Sequence, residues 1–107
     1  MNNWFFLLIA GGLEIGFATC LKLSEGFTRH AFTAAFLVLA VLSFYFLSRA
    51  IESIPIGTAY AVWTGIGAFG TAIMGMWLFN EPTSLFRILL LVNLIVSIIG
   101  LKLLAAP

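Results

Sequence analysis

Residues 4–21 read WFFLLIAGGLEIGFATCL, a run of apolar and small side chains with one charge in it, Glu14. A helix that crosses a bilayer needs about 20 predominantly apolar residues, within a range of roughly 17 to 25. This stretch meets that length. Three more follow at 31–50, at 56–79 after Pro55, and at 85–104. The last is the least obvious, because Arg87 and Lys102 leave only 14 uncharged residues between them. Both long side chains can snorkel to the interfaces, which restores the span. The fold expected is an all-α membrane protein, residues 1–107 forming one domain of four transmembrane helices.

Composition agrees. The 107 residues are 63% hydrophobic and 8% charged, more apolar surface than a soluble domain of this size could enclose. Net charge is +1 and the aromatics sit inside apolar runs, so nucleic acid is not an expected partner. A lone cysteine, Cys20, closes no intrachain disulfide, and no spacing of His and Cys suits a metal. Without a basic leader or a small-residue cleavage site, the first span reads as a retained helix rather than a signal peptide. The connections KLSEGFTRH (22–30), RAIESIP (49–55) and NEPTS (80–84) carry turn residues and leave no room for a soluble domain. The second pair of spans does not repeat the first.

Four spans put both termini and the second loop on one side of the membrane, with the first and third loops on the other. Lys22, Arg29 and Arg87 then face Arg49, Lys102 and the amino terminus. The positive-inside rule returns nearly a tie. Either a weak bias decides the orientation, or the chain inserts both ways round and two copies pair antiparallel. The latter would be the two-chain counterpart of the inverted repeats of secondary transporters.

At 1.5 Å per residue, Glu14 lies roughly 15 Å along the first span, near the middle of a core about 30 Å thick. Glu25, Glu52 and Glu81 fall in loops, where solvation accounts for them. Glu14 has no such account. It either stays protonated and bonds a neighbouring helix, or exchanges a proton for a cation. Ionisable groups inside a membrane favour the functional reading, since a glutamine would serve the structural one. Two Glu14 carboxylates facing one cavity would titrate as a coupled pair.

Around Glu14, helical spacing places Ala10, Gly11, Phe17, Ala18 and Leu21, a face that permits close helix contact or leaves space for a ligand. In the third span Tyr60 and Trp63 share a face near Gly57, Gly67 and Ala68. Their rings can hold a cation, and the Tyr hydroxyl can hold a carboxylate. Trp4 and Trp77 read instead as interfacial anchors. Gly65, Gly67 and Gly70 in GIGAFG offer either a kink or simple close packing. Ser43 is a donor at membrane depth that orients Glu14 or bonds its own helix. Asn93, Ser97 and Gly100 form a polar and small stripe suited to helix association. Lys22 and His30 read as interfacial residues.

These residues resemble the small multidrug resistance transporters. The likeness rests on four spans in this length, the Glu of LEIGFATCLKLSEGFT, the SF of the second span, PIGTAYAVWTGIGA in the third and the closing GLK. It implies a bacterial inner-membrane protein, a dual-topology antiparallel homodimer that exchanges protons for organic cations without a cofactor. It further implies that both Glu14 side chains share the site, that Tyr60 and Trp63 line it, and that Ser43 lies near Glu14. The glycines of the third span would form a kink and the fourth span the dimerisation arm. AYAVWTGIGAFG, NEP and GLK are similar to the branch that exports guanidinium and guanidinyl compounds, whereas Phe17 stands where that branch usually has Trp. LKLSEGFT is shared with, or leans to, the branch that exports quaternary ammonium and aromatic drug cations. The function expected is therefore guanidinium export, with drug-cation export as the alternative. A heterodimer with a paralogue is a further option. A water-filled channel lacks its ring of polar residues. An enzyme lacks any His, Asp or Lys at membrane depth to act with Glu14.

Overall fold

A computed structural model describes residues 3–104. Four helices make up the described residues, α1 (Asn3–Leu23), α2 (His30–Ala50), α3 (Ile56–Leu78) and α4 (Leu85–Leu104). All four are long and apolar enough to cross a membrane. The spans expected at 31–50 and 85–104 match to within a residue. The first helix is longer than the expected 4–21, because its backbone bonding continues to Leu23 and is closed by Ser24 N–H donating to the Cys20 carbonyl at 2.8 Å.

The connections close by local bonding. Fully buried Ser24 donates its hydroxyl to the Leu21 carbonyl at 2.7 Å and accepts the Phe27 N–H at 3.2 Å. Its own carbonyl takes the N–H groups of Thr28 and Arg29. Glu25, Gly26 and Phe27 between them have positive φ, and glycine makes that reversal easiest. After α3 the Gly75 carbonyl accepts both the Phe79 and the Glu81 N–H, at 3.0 and 3.2 Å.

Helix α1 is the spine. It packs along α2 and α3, while the α2 and α3 backbones hardly meet and α4 leans chiefly on α3, reaching α1 through Lys102 at Trp4. The buried core is Leu7, Ala10, Ala50, Ile54, Ala59, Val62 and Trp63, concentrated toward the half that holds the start of α1. No residue of α4 is buried, and Phe86, Leu90 and Leu104 are largely exposed. A helix with an apolar exterior is satisfied by lipid or by another helix, and not by water.

The two ends carry similar charge. Arg29 pairs with Glu25 and Arg87 with Glu81 at one end; Arg49 pairs with Glu52 at the other. One lysine remains at each end without a carboxylate among the described residues: Lys22, 5.8 Å from the Phe79 ring centroid, and Lys102, 5.2 Å from that of Trp4. Glu25, Glu52 and Glu81 are exposed, in keeping with their loop positions.

Candidate functional site

Glu14 is the twelfth residue of a 21-residue helix, so its backbone sits at mid-membrane. Its side chain points at α3. A Cβ built on Gly67 would overlap Glu14 Oε1 and Cδ, so the absent side chain of Gly67 is the space the carboxylate occupies. Oε1 is buried and makes no hydrogen bond among the described residues.

Glycines set the register around it. A Cβ on Gly11 would fall 2.7 Å from Ile66 Cγ2, and one on Gly70 would overlap Ile15. The layers Gly11 with Ile66, Glu14 with Gly67, and Ile15 with Gly70 ascend together along the two helices, so α1 and α3 run parallel. Gly65 faces the other way and receives Ile98 of α4, 2.8 Å from its ideal Cβ. The three glycines of GIGAFG are therefore packing notches here, and the helix continues unbroken through them from Ile56 to Leu78. Ala10 and Gly11, expected to line a pocket, are buried by close helix contact in this chain.

Ser43 hydrogen-bonds neither Glu14 nor its own helix. Its fully buried hydroxyl donates to the Ala10 carbonyl on α1 at 2.7 Å and accepts the Trp63 indole N–H from α3 at 3.0 Å. Ala10 lies one turn before Glu14 and Trp63 one turn before Gly67, so this three-helix tie fixes the two turns that meet at the carboxylate. Trp63 is 5% exposed; Tyr60, 5.6 Å from it ring to ring, is 57% exposed, and its hydroxyl has no partner among the described residues. Phe44 packs on the same indole at 5.2 Å. Phe17 turns toward α2, edge-on to Phe36 at 5.8 Å.

Ala18, Thr19 and Lys22 of α1 face Thr71 and Gly75 of α3, with Phe79 and Glu81, across a cavity of about 140 Å³. Asn93 and Ser97 line an open groove between α3 and α4; both are exposed and neither side chain is hydrogen-bonded among the described residues. Nothing lies within 4 Å of a Cβ on Gly100. Among the described residues no group of three His, Cys, Asp or Glu side chains could hold a metal.

The sequence did not reveal which side chain each glycine receives, since that depends on the register between helices. It also did not reveal that Glu81 folds back over Gly75, where an ideal Cβ would lie 2.5 Å from Oε1, while bonding Arg87 Nη2 at 2.7 Å. The pairing of Glu81 with a cation six residues on was the available signal.

Four apolar helices of spanning length, one of them carrying a carboxylate at its middle, define a small integral membrane protein. The chain belongs to the Small Multidrug Resistance protein family, whose model matches residues 2–95. It is an integral protein of the inner membrane. It is 52% identical over 100 residues to a protein of Yersinia pseudotuberculosis named "Guanidinium exporter", covering 94% of this chain and 96% of that one. A Proteus vulgaris protein of the same name is 46% identical over 101 residues, covering 94% and 97%. One from Citrobacter freundii is 48% identical over 101 residues, covering 94% and 96%.

Proposed function

We propose that the chain exports guanidinium-type cations in exchange for protons, with Glu14 as the group both compete for. The observation that carries this is the buried, unpartnered Glu14 Oε1 at mid-membrane. A carboxylate without a fixed partner is free to take a proton or a cation in turn. A guanidinium group is planar and presents parallel N–H donors, which suit the two oxygens of a carboxylate. The names of the relatives agree with that ligand.

A single chain does not enclose this site. Tyr60 projects outward, α4 buries nothing, and the Asn93, Ser97 and Gly100 stripe is open. Two copies in opposite orientation, packed through that stripe, would bring both Glu14 side chains to a shared cavity. The near balance of charge at the two ends supports insertion both ways round. Tyr60 and Trp63 then present aromatic faces to the cation, worth about 0.5 to 2 kcal/mol each. Phe17 and Ala18 flank the carboxylate's turn, while Ser43 holds Trp63 and α1 in place.

Coupling follows from exclusion. When the protonated and the cation-bound forms can each switch the cavity from one side to the other, and the empty anionic form cannot, a proton gradient drives the cation outward. The glycines of α3 provide the surface on which such a switch can slide, and a kink there would belong to the other state.

A second reading is export of quaternary ammonium and aromatic cations. Phe17 has no ring donor and meets Phe36 edge-on, so it leaves the carboxylate unrestrained by an indole. Transport currents from the purified protein in liposomes separate the two. Guanidinium, guanylurea and a bulky aromatic or quaternary ammonium cation are applied in turn, with Glu14→Gln as control. Currents confined to guanidinyl compounds are expected, and Glu14→Gln folds and dimerises but carries none. Coupled exchange retained in Glu14→Gln would remove this reading.

A further inference from the structure

We propose that the cavity between the ends of α1 and α3 is a hydrated proton passage to Glu14, distinct from the face that holds the organic cation. The proposal rests on the reading of Glu14 as the exchange group.

Three observations support it. The cavity lies on the α1–α3 seam itself, because its walls Ala18 and Thr71 are one helical turn beyond Glu14 and Gly67. Its lining is polar for a membrane interior: Thr19, Lys22, Thr71 and Glu81. The Thr19 hydroxyl is spent on the Ile15 carbonyl at 2.8 Å, but the Thr71 hydroxyl has no hydrogen-bond partner among the described residues. A polar cavity of about 140 Å³ with an unsatisfied hydroxyl is roomy enough for several waters. Tyr60 and Trp63 lie on the opposite side of Gly67 along α3, so the aromatic face and this cavity approach the carboxylate from opposite directions.

One layer separates the cavity from the carboxylate. Ile15 seated on Gly70 fills the seam between them. In this arrangement the passage is closed, and a small shift of α1 against α3 that lifts Ile15 would join it to Glu14. A hydronium ion at the mouth then gives its proton through water to the carboxylate, leaving a neutral acid and water. The mouth selects against the organic cation. A proton is handed from water to water whereas the organic cation must pass whole through the seam, and the Glu81 carboxylate that could draw a cation in is already held by Arg87 at 2.7 Å; the Lys22 charge opposes both alike. The charged groups that face the cavity are Lys22 from α1 and Glu81 from the loop after α3.

The test compares two activities of the same reconstituted protein. One is uptake of guanidinium driven by a proton gradient; the other is exchange of labelled for unlabelled guanidinium at equal pH, which needs no proton. Thr71→Leu fills the cavity, and Thr71→Val removes the hydroxyl at nearly constant shape. Proton-driven uptake should fall by about tenfold in Thr71→Leu and by less in Thr71→Val, since interrupting a positioned proton path is costly in rate. Cation-for-cation exchange should stay within about twofold in both, as Thr71 lies outside the proposed cation face. Loss of the two activities together, or of neither, would overturn the passage. A wild-type protein that exchanges cations but never couples to protons would instead remove the reading of Glu14, and the passage with it.

Discussion

Glu14 occupies the place where a side chain on Gly67 would be. The atoms that a Cβ there would meet are the far end of a flexible carboxylic acid, not backbone. Gly67→Ala should therefore swing Glu14 out of the seam rather than unfold the helix pair. The cost of a displaced rotamer is about 0.5 to 1.5 kcal/mol. Thermal stability in detergent should fall slightly while transport currents collapse. A variant that melts early and transports normally would show that Glu14 does not use this position.

Gly11 presents the opposite case. The atoms nearest its ideal Cβ are Ile66 Cγ2 and Cβ, at 2.7 and 2.8 Å, and these are rooted in α3. Cβ is fixed to the α3 backbone, and β-branching leaves Cγ2 little freedom to turn aside. Gly11→Ala should destabilise the fold by about 1 to 3 kcal/mol, the usual result of overpacking. Gly12→Ala, one residue on, meets nothing within 4 Å and should be neutral or slightly stabilising through helix propensity. Denaturation of the two variants in the same detergent checks the contrast.

Four spans and the mid-membrane carboxylate were legible because each depends on a linear property, the length of an apolar run and the depth of one charge within it. The adjacency of the Tyr60 and Trp63 rings was legible for the same reason, as a spacing of three. What stayed open was whatever depends on a second helix. The sequence allowed GIGAFG to kink or to pack, and only the seating of Glu14, Ile15 and Ile98 shows it packing in this state. The acceptor for Ser43 was likewise hidden, since the Ala10 carbonyl lies 33 residues away.

Ser43→Ala should cost more than loss of a single hydroxyl suggests. It removes the only acceptor described for the Trp63 indole N–H, in a residue 5% exposed, and a buried donor left unpaired costs about 1 to 3 kcal/mol. Ser48→Ala is the matched control, since that exposed hydroxyl bonds only the Tyr45 carbonyl on its own helix, and it should stay within about 0.5 kcal/mol. Thermal melts report the difference. The indole fluorescence of Ser43→Ala should also shift as Trp63 loses its partner.

Gly100 tests for the second chain. Within the protomer an added Cβ there meets nothing within 4 Å, and α4 buries no residue of its own. A Cβ at Gly100 therefore starts in open space within the protomer, and helix propensity accounts for an effect of under about 1 kcal/mol. If two copies pack through Asn93, Ser97 and Gly100, Gly100→Ile intrudes on the partner helix, where small residues allow close approach. Overpacking of about 1 to 3 kcal/mol would weaken association by roughly five- to more than a hundredfold. Dilution into lipid with donor- and acceptor-labelled protein measures this directly. Energy transfer that persists at the wild-type level in Gly100→Ile would place the contact between chains elsewhere, while its loss with helical content unchanged would assign that contact to this stripe.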